Sequence, residues 1–314
     1  MSKDTQFLAR VAWFYYIEGL TQKEIAKRFG ISRVKVVRLL KEARRRGIVE
    51  IRIADTWASY LPLERALRQR FGLLDAVVVE APPSPDRLRP ALGKAAAEYL
   101  RYVMRSGLLV GLGMGRTLAE IPHYMHAGTG ACHFIEMVGG IGRGLSDSYK
   151  VSSSLADRCG GQVEHLYSPV IVETAAARQA LLSDGQISSV LQRAATSDLA
   201  LVSVGTVDLD SFLYQAGYLD EAGIAALLER GAVGDILGQF FDIRGGPVFC
   251  PTDDRLIGLS LEQLRQIPRV VCVAGGPTKV ASILGALRGR YANVLITDVE
   301  TAQGLLNYVE AADG

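Results

Sequence analysis

Apolar residues recur three and four positions apart through "TQFLARVAWFYYIEGL" (5–20), which puts Leu8, Val11, Ala12, Tyr15 and Tyr16 on one face of a predicted helix. Gly19 ends that helix. Thr21 followed three residues later by Glu24 makes a capping box, so a second helix opens at Gln22 and runs to Phe29, where Gly30 stops it. Ser32 then caps a third helix that reaches about Arg46 and closes at Gly47. Ile25, Phe29, Ile31, Val36 and Leu39 supply apolar contacts between these helices. Ala26 is small where two of them cross, and Gly30 tolerates a positive φ in the tight turn. Two short helices packed steeply across a turn of three or four residues make a helix-turn-helix. After Gly47, "GIVEIRI" alternates apolar and polar positions and predicts a short strand or wing.

From about Trp57 the pattern changes. "PLERALRQRFG" is amphipathic, "LLDAVVVEAPPSP" is a strand ending in a Pro loop, and "RPALGKAAAEYLRYVM" is a helix. "GLLVGLGMGRTLAEIPHYM" reads as strand, Gly-rich turn and helix. "CHFIEMVGGIG", "EHLYSPVIV", "LALVSVG", "PVFC", "VVCVAGG" and "NVLIT" add further strands. Helical stretches such as "AARQALLSDGQISSVLQRAA", "EAGIAALLER" and "TKVASILGALRG" lie between most of them. Strands alternating with helices predict an α/β fold, a parallel sheet with helices on both faces. The expected organisation is a helix-turn-helix domain at 1–56 and a larger domain at 57–314, with no internal repeat.

Composition changes this picture in one respect. The 314 residues are 49% hydrophobic and 22% charged, as in a soluble globular protein. No apolar run is long enough for a membrane helix and no signal-peptide pattern opens the chain, so no membrane partner and a cytoplasmic location are expected. The four cysteines (Cys132, Cys159, Cys250 and Cys272) form no CxxC pair and read as buried or idle thiols. The overall charge of +2 conceals an asymmetry. Residues 1–53 carry 13 Lys and Arg against 5 Asp and Glu, while the remainder carries 22 against 28. A basic head on a mildly acidic body points to a polyanion partner for the head alone.

With Val36 and Leu39 facing inward, the third helix turns Ser32, Arg33, Val34, Lys35, Val37 and Arg38 outward, where a DNA groove would meet them. Arg33 and Arg38 can donate to guanine O6 and N7 or to phosphate, and Val34 and Val37 can pack on thymine methyls. Gln22, at the start of the second helix, joins the predicted DNA-contacting set. Lys41, Arg44, Arg45 and Arg46 extend the charge and suit the phosphate backbone. The bland reading is an ordinary basic helical hairpin, but pattern, caps and charge all agree against it.

In the body, ligands of open α/β sheets sit beyond the carboxyl ends of the strands. "GLGMGRTL" (111–118), with Gly113, Gly115, Arg116 and Thr117, follows a strand and opens a helix, so it suits an anion or a sugar hydroxyl. "VAGGPTK" (273–279) repeats the arrangement with Lys279, and "MVGGIGR" (137–143) brings Gly139 and Gly140. "GDILGQFFDIRG" (234–245) brings Asp235, Gln239 and Asp242, of which Asp242 is the candidate. Each strand end alone is as well explained by a tight turn. Together they make an effector site.

The head "LTQKEIAKRFGISRVKVVRLLKEARRRGIVEIRI", followed by "VGLGMGRTL", "VGTVDLDSFLYQAGYL", "GDILGQFFD", "VAGGPTKVASILGALRG" and "NVLITD", resembles the SorC/DeoR-type bacterial sugar-responsive transcriptional regulators along nearly the whole chain. The resemblance implies a winged or trihelical head and a Rossmann-like sugar-binding body similar to glucosamine-6-phosphate deaminase and ribose-5-phosphate isomerase, without catalysis or a cofactor. It further implies a dimer or tetramer that binds operator DNA and a sugar, sugar phosphate or sugar alcohol. It carries the effector contacts onto Gly115 to Thr117, Gly139, Gly140, Asp242 and Lys279. Phosphosugar-binding relatives often place a cation just before the glycine pair, where this chain has Val138, which disfavours a doubly phosphorylated effector. The head also resembles regulators of polyol catabolism, such as that of erythritol.

Three other readings fit parts of the sequence. "GLGMG" with Glu136 about 21 residues beyond Gly115 imitates a dinucleotide fingerprint, at the wrong glycine interval. Sugar-phosphate isomerase or deaminase chemistry needs a positioned base, for which Asp242 has no identifiable companion. His123, His126, Cys132 and His133 cluster in "HYMHAGTGACH", where surface or loop histidines are commoner than a metal site. The predicted function is therefore a regulator, acting as a repressor, of a carbohydrate or polyol operon.

Overall fold

A computed structural model describes residues 3–49, 60–126, 130–140 and 148–313. The chain divides into two compact units, residues 1–59 and 60–314. The boundary expected at 56/57, and the strand or wing expected beyond Val49, fall outside the described residues.

The head contains α1 (Lys3–Tyr16), α2 (Gln22–Phe29) and α3 (Arg33–Arg45). Local chemistry sets its helix starts. The Thr21 hydroxyl accepts from Glu24 N–H while the Glu24 carboxylate accepts from Thr21 N–H, and Ser32 accepts from Lys35 N–H. Gly30 ends α2 at φ 65°, a left-handed conformation that glycine adopts without a steric penalty. Leu8, Val11, Ala12, Ile25, Ala26, Val36, Leu40 and Ala43 form the core, with Phe29, Ile31 and Leu39 at its margin. Leu40 rather than Leu39 is thus the buried leucine of α3, because the helix crosses the other two one position further along its face.

The body is built on a seven-stranded sheet in the order β1-β11-β10-β5-β2-β3-β4, parallel throughout. Its strands are β1 (Asp75–Val79), β2 (Leu109–Leu112), β3 (His133–Glu136), β4 (Gln162–Glu164), β5 (Leu199–Val202), β10 (Val270–Val273) and β11 (Val294–Asp298). Side chains alternate between faces. Leu199 and Leu201 pack with α5 (Leu88–Val103) and α6 (Ser148–Cys159), whereas Ala200 and Val202 join the core on the other face. That second face carries α4 (Leu61–Phe71), α8 (Gly185–Ala194), α11 (Val280–Arg288) and α12 (Val299–Asp313). Burial on both faces explains why these strands are continuous apolar runs.

The sequence reading differs from the structure in three places. "AARQALLSDGQISSVLQRAA" forms two helices, α7 (Ala175–Ser183) and α8, because the Asp184 carboxylate caps the second through Gln186 and Ile187 N–H. "EHLYSPVIV" contributes little strand: beyond β4 it makes isolated bridges, Gly140 with Pro169 and Ile171 with Leu256. The third difference is a four-stranded antiparallel sheet, β6 (Gly205–Thr206), β7 (Ala232–Ile236), β8 (Gln239–Asp242) and β9 (Pro247–Val248), which takes up "GDILGQFFD" and "PVFC". β7 and β8 are joined by Leu237 (φ 54°) and Gly238 (φ 80°). Positive φ at both positions is the hairpin geometry that ordinarily selects Asn-Gly, so a Leu-Gly pair carries little turn signal.

Candidate effector cleft and nucleic-acid interface

The carboxyl ends of the adjacent strands β2, β5 and β10 open onto one cleft of the body. β2 leads into Met114, Gly115, Arg116 and Thr117, and β5 into Ser203, Val204, Gly205 and Thr206. The turn after β10 brings Lys279, the β7–β8 hairpin brings Asp235 and Leu237, and α5 brings Arg89. Asp210, Ser211 and Phe212 close the remaining side, where Asp210 O accepts from an Arg116 Nη at 3.1 Å.

Close backbone approaches shape this cleft. A Cβ at Gly113 would lie 3.0 Å from a Leu237 methyl and 3.1 Å from Leu201 O, so Gly113 admits the hairpin although it does not line the cleft. A Cβ at Gly205 would overlap the Asp235 carboxylate. Leu237 is a buried non-glycine residue at positive φ, a conformation that costs about 1 kcal/mol or more and is held here by the core around it.

Asp235 and Lys279 dominate the electrostatics. Burial pushes the Asp235 carboxyl up to about 6, opposed by the Gly238 N–H it accepts at 3.1 Å and by nearby Lys279. Burial lowers the Lys279 ammonium, as do Arg116 and Arg89, while Cys272 and Asp235 act in the opposite direction. Lys279 Nζ donates to Val204 O at 2.6 Å, which keeps it at the wall of the cleft. Three cationic side chains and a carboxyl poised between charge states can hold an anionic, hydroxylated ligand.

Of the predicted effector residues, Gly115, Arg116, Thr117 and Lys279 come together in this cleft. Asp242 does not line it. Its carboxylate accepts from Arg244 N–H and Gly246 N–H, both at 2.8 Å, and so holds the turn between β8 and β9. Asp235, seven residues earlier on the other hairpin strand, occupies the place expected for it. Gly139 and Gly140 do not line the cleft either: Gly139 lies against the Pro169 backbone, and Gly140 N–H donates to Ser168 O. Gln239 bridges Leu259 O and Leu261 N–H. The helix expected after "GLGMGR" is a 3-10 turn, Leu118–Glu120, and a one-turn helix, Ile121–Tyr124, so a helix macrodipole adds little at Thr117. Arg89, Ser203 and Asp210 were not singled out from sequence, since no local pattern marks them.

The dinucleotide reading fails at Glu136. That carboxylate is buried and engaged by the Ser152 hydroxyl (2.8 Å), Leu166 N–H (2.9 Å) and His165 Nδ1 (3.0 Å), which leaves it unable to hold a ribose. Among the described residues no group of three His, Cys, Asp or Glu is placed to hold a metal ion. No helix of the described residues is long and apolar enough to cross a membrane.

In the head, α3 exposes Ser32, Arg33, Val34, Lys35 and Arg38, with Val34 at 63%, and Val37 is partly covered. Arg33 Nε donates to Gln22 Oε1 at 3.3 Å, so two of the predicted DNA-contacting residues touch each other. The far end of α3 differs from expectation. Arg44 Nε donates to the Tyr16 hydroxyl at 2.7 Å, while Arg45 and Arg46 both bind the Glu42 carboxylate, which their hydrogen bonds lower to about 2. Two of these three guanidiniums thus share one carboxylate, and the third is held by a neutral hydroxyl.

Comparison with known proteins agrees with both halves. Residues 55–307 match the family model described as "Putative sugar-binding domain", and residues 13–46 match the Sigma-70, region 4 model. The chain is 34% identical to the deoxyribonucleoside regulator of Bacillus subtilis, covering 98% of this chain and 99% of that protein. It is 33% identical to the transcriptional regulator LsrR of Klebsiella pneumoniae, over 96% of this chain and 93% of the relative. The full-length sorbitol operon regulator SorC from Klebsiella pneumoniae superposes with a TM-score of 0.75 at 28% identity, covering 98% of this chain and all of that one. On this combination of a helix-turn-helix head, a matched sugar-binding body and regulators similar along almost their full length, the chain belongs to the SorC/DeoR family of sugar-responsive, DNA-binding transcriptional regulators.

Proposed function

We propose that this regulator represses a carbohydrate or polyol catabolic operon, and that a singly phosphorylated sugar or sugar alcohol bound in the β2/β5/β10 cleft controls it. The observation that carries this reading is the grouping of Arg89, Arg116 and Lys279 with Asp235 at one set of strand ends. The cations suit one phosphate, and Asp235 suits the hydroxyls. Val138, which lies buried, supplies no further cation for a second phosphate. Two of the similar proteins carry names tied to deoxyribonucleosides and to a sorbitol operon, in keeping with a carbohydrate-derived effector. The regulators similar to this chain along almost their full length support a cleft that binds its ligand rather than turning it over. Operator DNA as partner places the protein in the cytoplasm. It acts as a homo-oligomer, since one head offers too small a surface for tight, specific binding.

A thermal-shift screen of sugars, polyols and their monophosphates tests the effector class. A true effector at 100 times its Kd stabilises the fold by about 2.7 kcal/mol. Lys279→Ala should abolish the shift given by the phosphorylated ligand while leaving operator affinity in its absence nearly unchanged. An unaltered half-maximal effector concentration on a preformed protein–DNA complex would remove Lys279 from the site. Stabilisation by neutral sugars alone would refute the anionic effector.

A further inference from the structure

Gln22 and Arg33 are the first residues of their helices, and both helix starts are held by side-chain caps. The turn between them is fixed as well, with Gly30 at φ 65° and Ile31 N–H bonded to Ala26 O. Two helix N-termini therefore present two side chains to each other, Arg33 Nε donating to Gln22 Oε1 at 3.3 Å. A guanidinium has only donors, so the carboxamide must turn its oxygen to Arg33 and its NH2 away. With Nε committed, the two terminal nitrogens of Arg33 remain as a fork of donors. Such a fork matches O6 and N7 of guanine, which both accept in the major groove. The opening residues of the second helix of a helix-turn-helix are those that reach base edges, whereas the helix before it crosses the backbone.

We infer that Gln22 is the positioning residue for a guanine read by Arg33, and that its own NH2 group donates to the neighbouring phosphate. The contact does two things at once. It removes the rotational freedom that would let Arg33 turn from base to phosphate, and it ties the register of the base contact to that of the backbone contact. The inference rests on α3 being the helix that enters the major groove. A 3.3 Å contact between exposed groups contributes little to the stability of the free protein, so its effect belongs to recognition.

The test selects duplexes from a randomised pool with the full-length wild-type protein, then measures affinity for the selected site and each of its single-base variants. Wild type should prefer guanine at one half-site position by about ten- to hundredfold. In Gln22→Ala that preference should fall to a few-fold while the other positions keep theirs. Gln22→Glu still offers an oxygen to Arg33 but sets a negative charge against the phosphate. It should keep the guanine preference and bind every sequence more weakly. Loss of affinity in Gln22→Ala that is even across all sequences, or loss of the guanine preference in Gln22→Glu, would overturn the positioning role. If Arg33→Ala retains the guanine preference, the assignment of α3 as the reading helix fails instead.

Discussion

The head and the body place function differently on the same chain. In the head, the residues proposed to meet DNA lie on the outer face of α3 and at the start of α2, and a small apolar core behind them sets the angle at which they are shown. In the body, the cleft is assembled from residues between 89 and 279, delivered by several strand ends, turns and one helix. The head's surface follows from the local sequence of α2 and α3. The body's cleft is a property of strand order. The head should therefore lose function through lost folding or lost charge, and the body through small errors in how backbones approach.

The largest expected effect separates the two units. Ile25 is fully buried in the head, and Ile25→Ala should cost about 2–5 kcal/mol. A domain of this size is marginally stable, so the head should unfold and operator binding should vanish. The effector-induced thermal shift of the body should survive. Loss of both would show that the units share their stability.

Next comes a backbone approach in the body. Gly205→Ala would push a methyl into the Asp235 carboxylate, and such overpacking costs about 1–3 kcal/mol. Effector affinity, followed by calorimetric titration, should fall about tenfold or more while operator affinity without effector holds. An unchanged effector affinity would show that Asp235 takes no part in the cleft's recognition.

The buried carboxyl gives a pH signature of similar size. The folded protein raises the Asp235 pKa from 3.8 to about 6, so the native state binds this proton more tightly than the unfolded chain. Asp235 therefore favours folding below the unfolded value, and that contribution is lost as pH rises from about 4 to about 6. Asp235→Asn should remove the loss and stabilise the protein above pH 6 by on the order of 2 kcal/mol. Denaturant midpoints across this range test it, and parallel pH profiles for variant and wild type would contradict it.

The smallest effect contrasts two arginines of α3. Arg38→Ala should lower the slope of log affinity against log salt by about 1, as expected when one phosphate contact is lost. Arg45 is already paired with Glu42, so Arg45→Ala should change both affinity and slope much less. Equal slopes for the two variants would mean that the Glu42 pairing opens on DNA.

The caps of α2 and α3 were legible from sequence because Thr21–Glu24 and Ser32–Lys35 are contacts between residues three apart. The parallel strands were legible because burial on both faces demands uninterrupted apolar runs. The antiparallel sheet was not, since β6 pairs with β7 some thirty residues away and the β7–β8 turn, Leu237–Gly238, has no Asn or Asp. Arg44 and Arg45 were counted as free charge because no local rule reveals the Tyr16 hydroxyl, and the Glu42 carboxylate could equally have faced solvent.

The sequence by itself determined the two-part organisation, the outward face of α3 and the Gly-rich strand ends, all of which follow from side-chain periodicity and short-range hydrogen bonding. Only the tertiary structure decided that Asp235 rather than Asp242 faces Lys279. Both carboxylates sit on one hairpin, in similar local company. The choice depends on how Gly205 and Gly234 let β6 and β7 approach, and on the Gly246 amide that takes up Asp242. Those are pairings between residues distant in sequence, and their energy exists once the chain has closed around them.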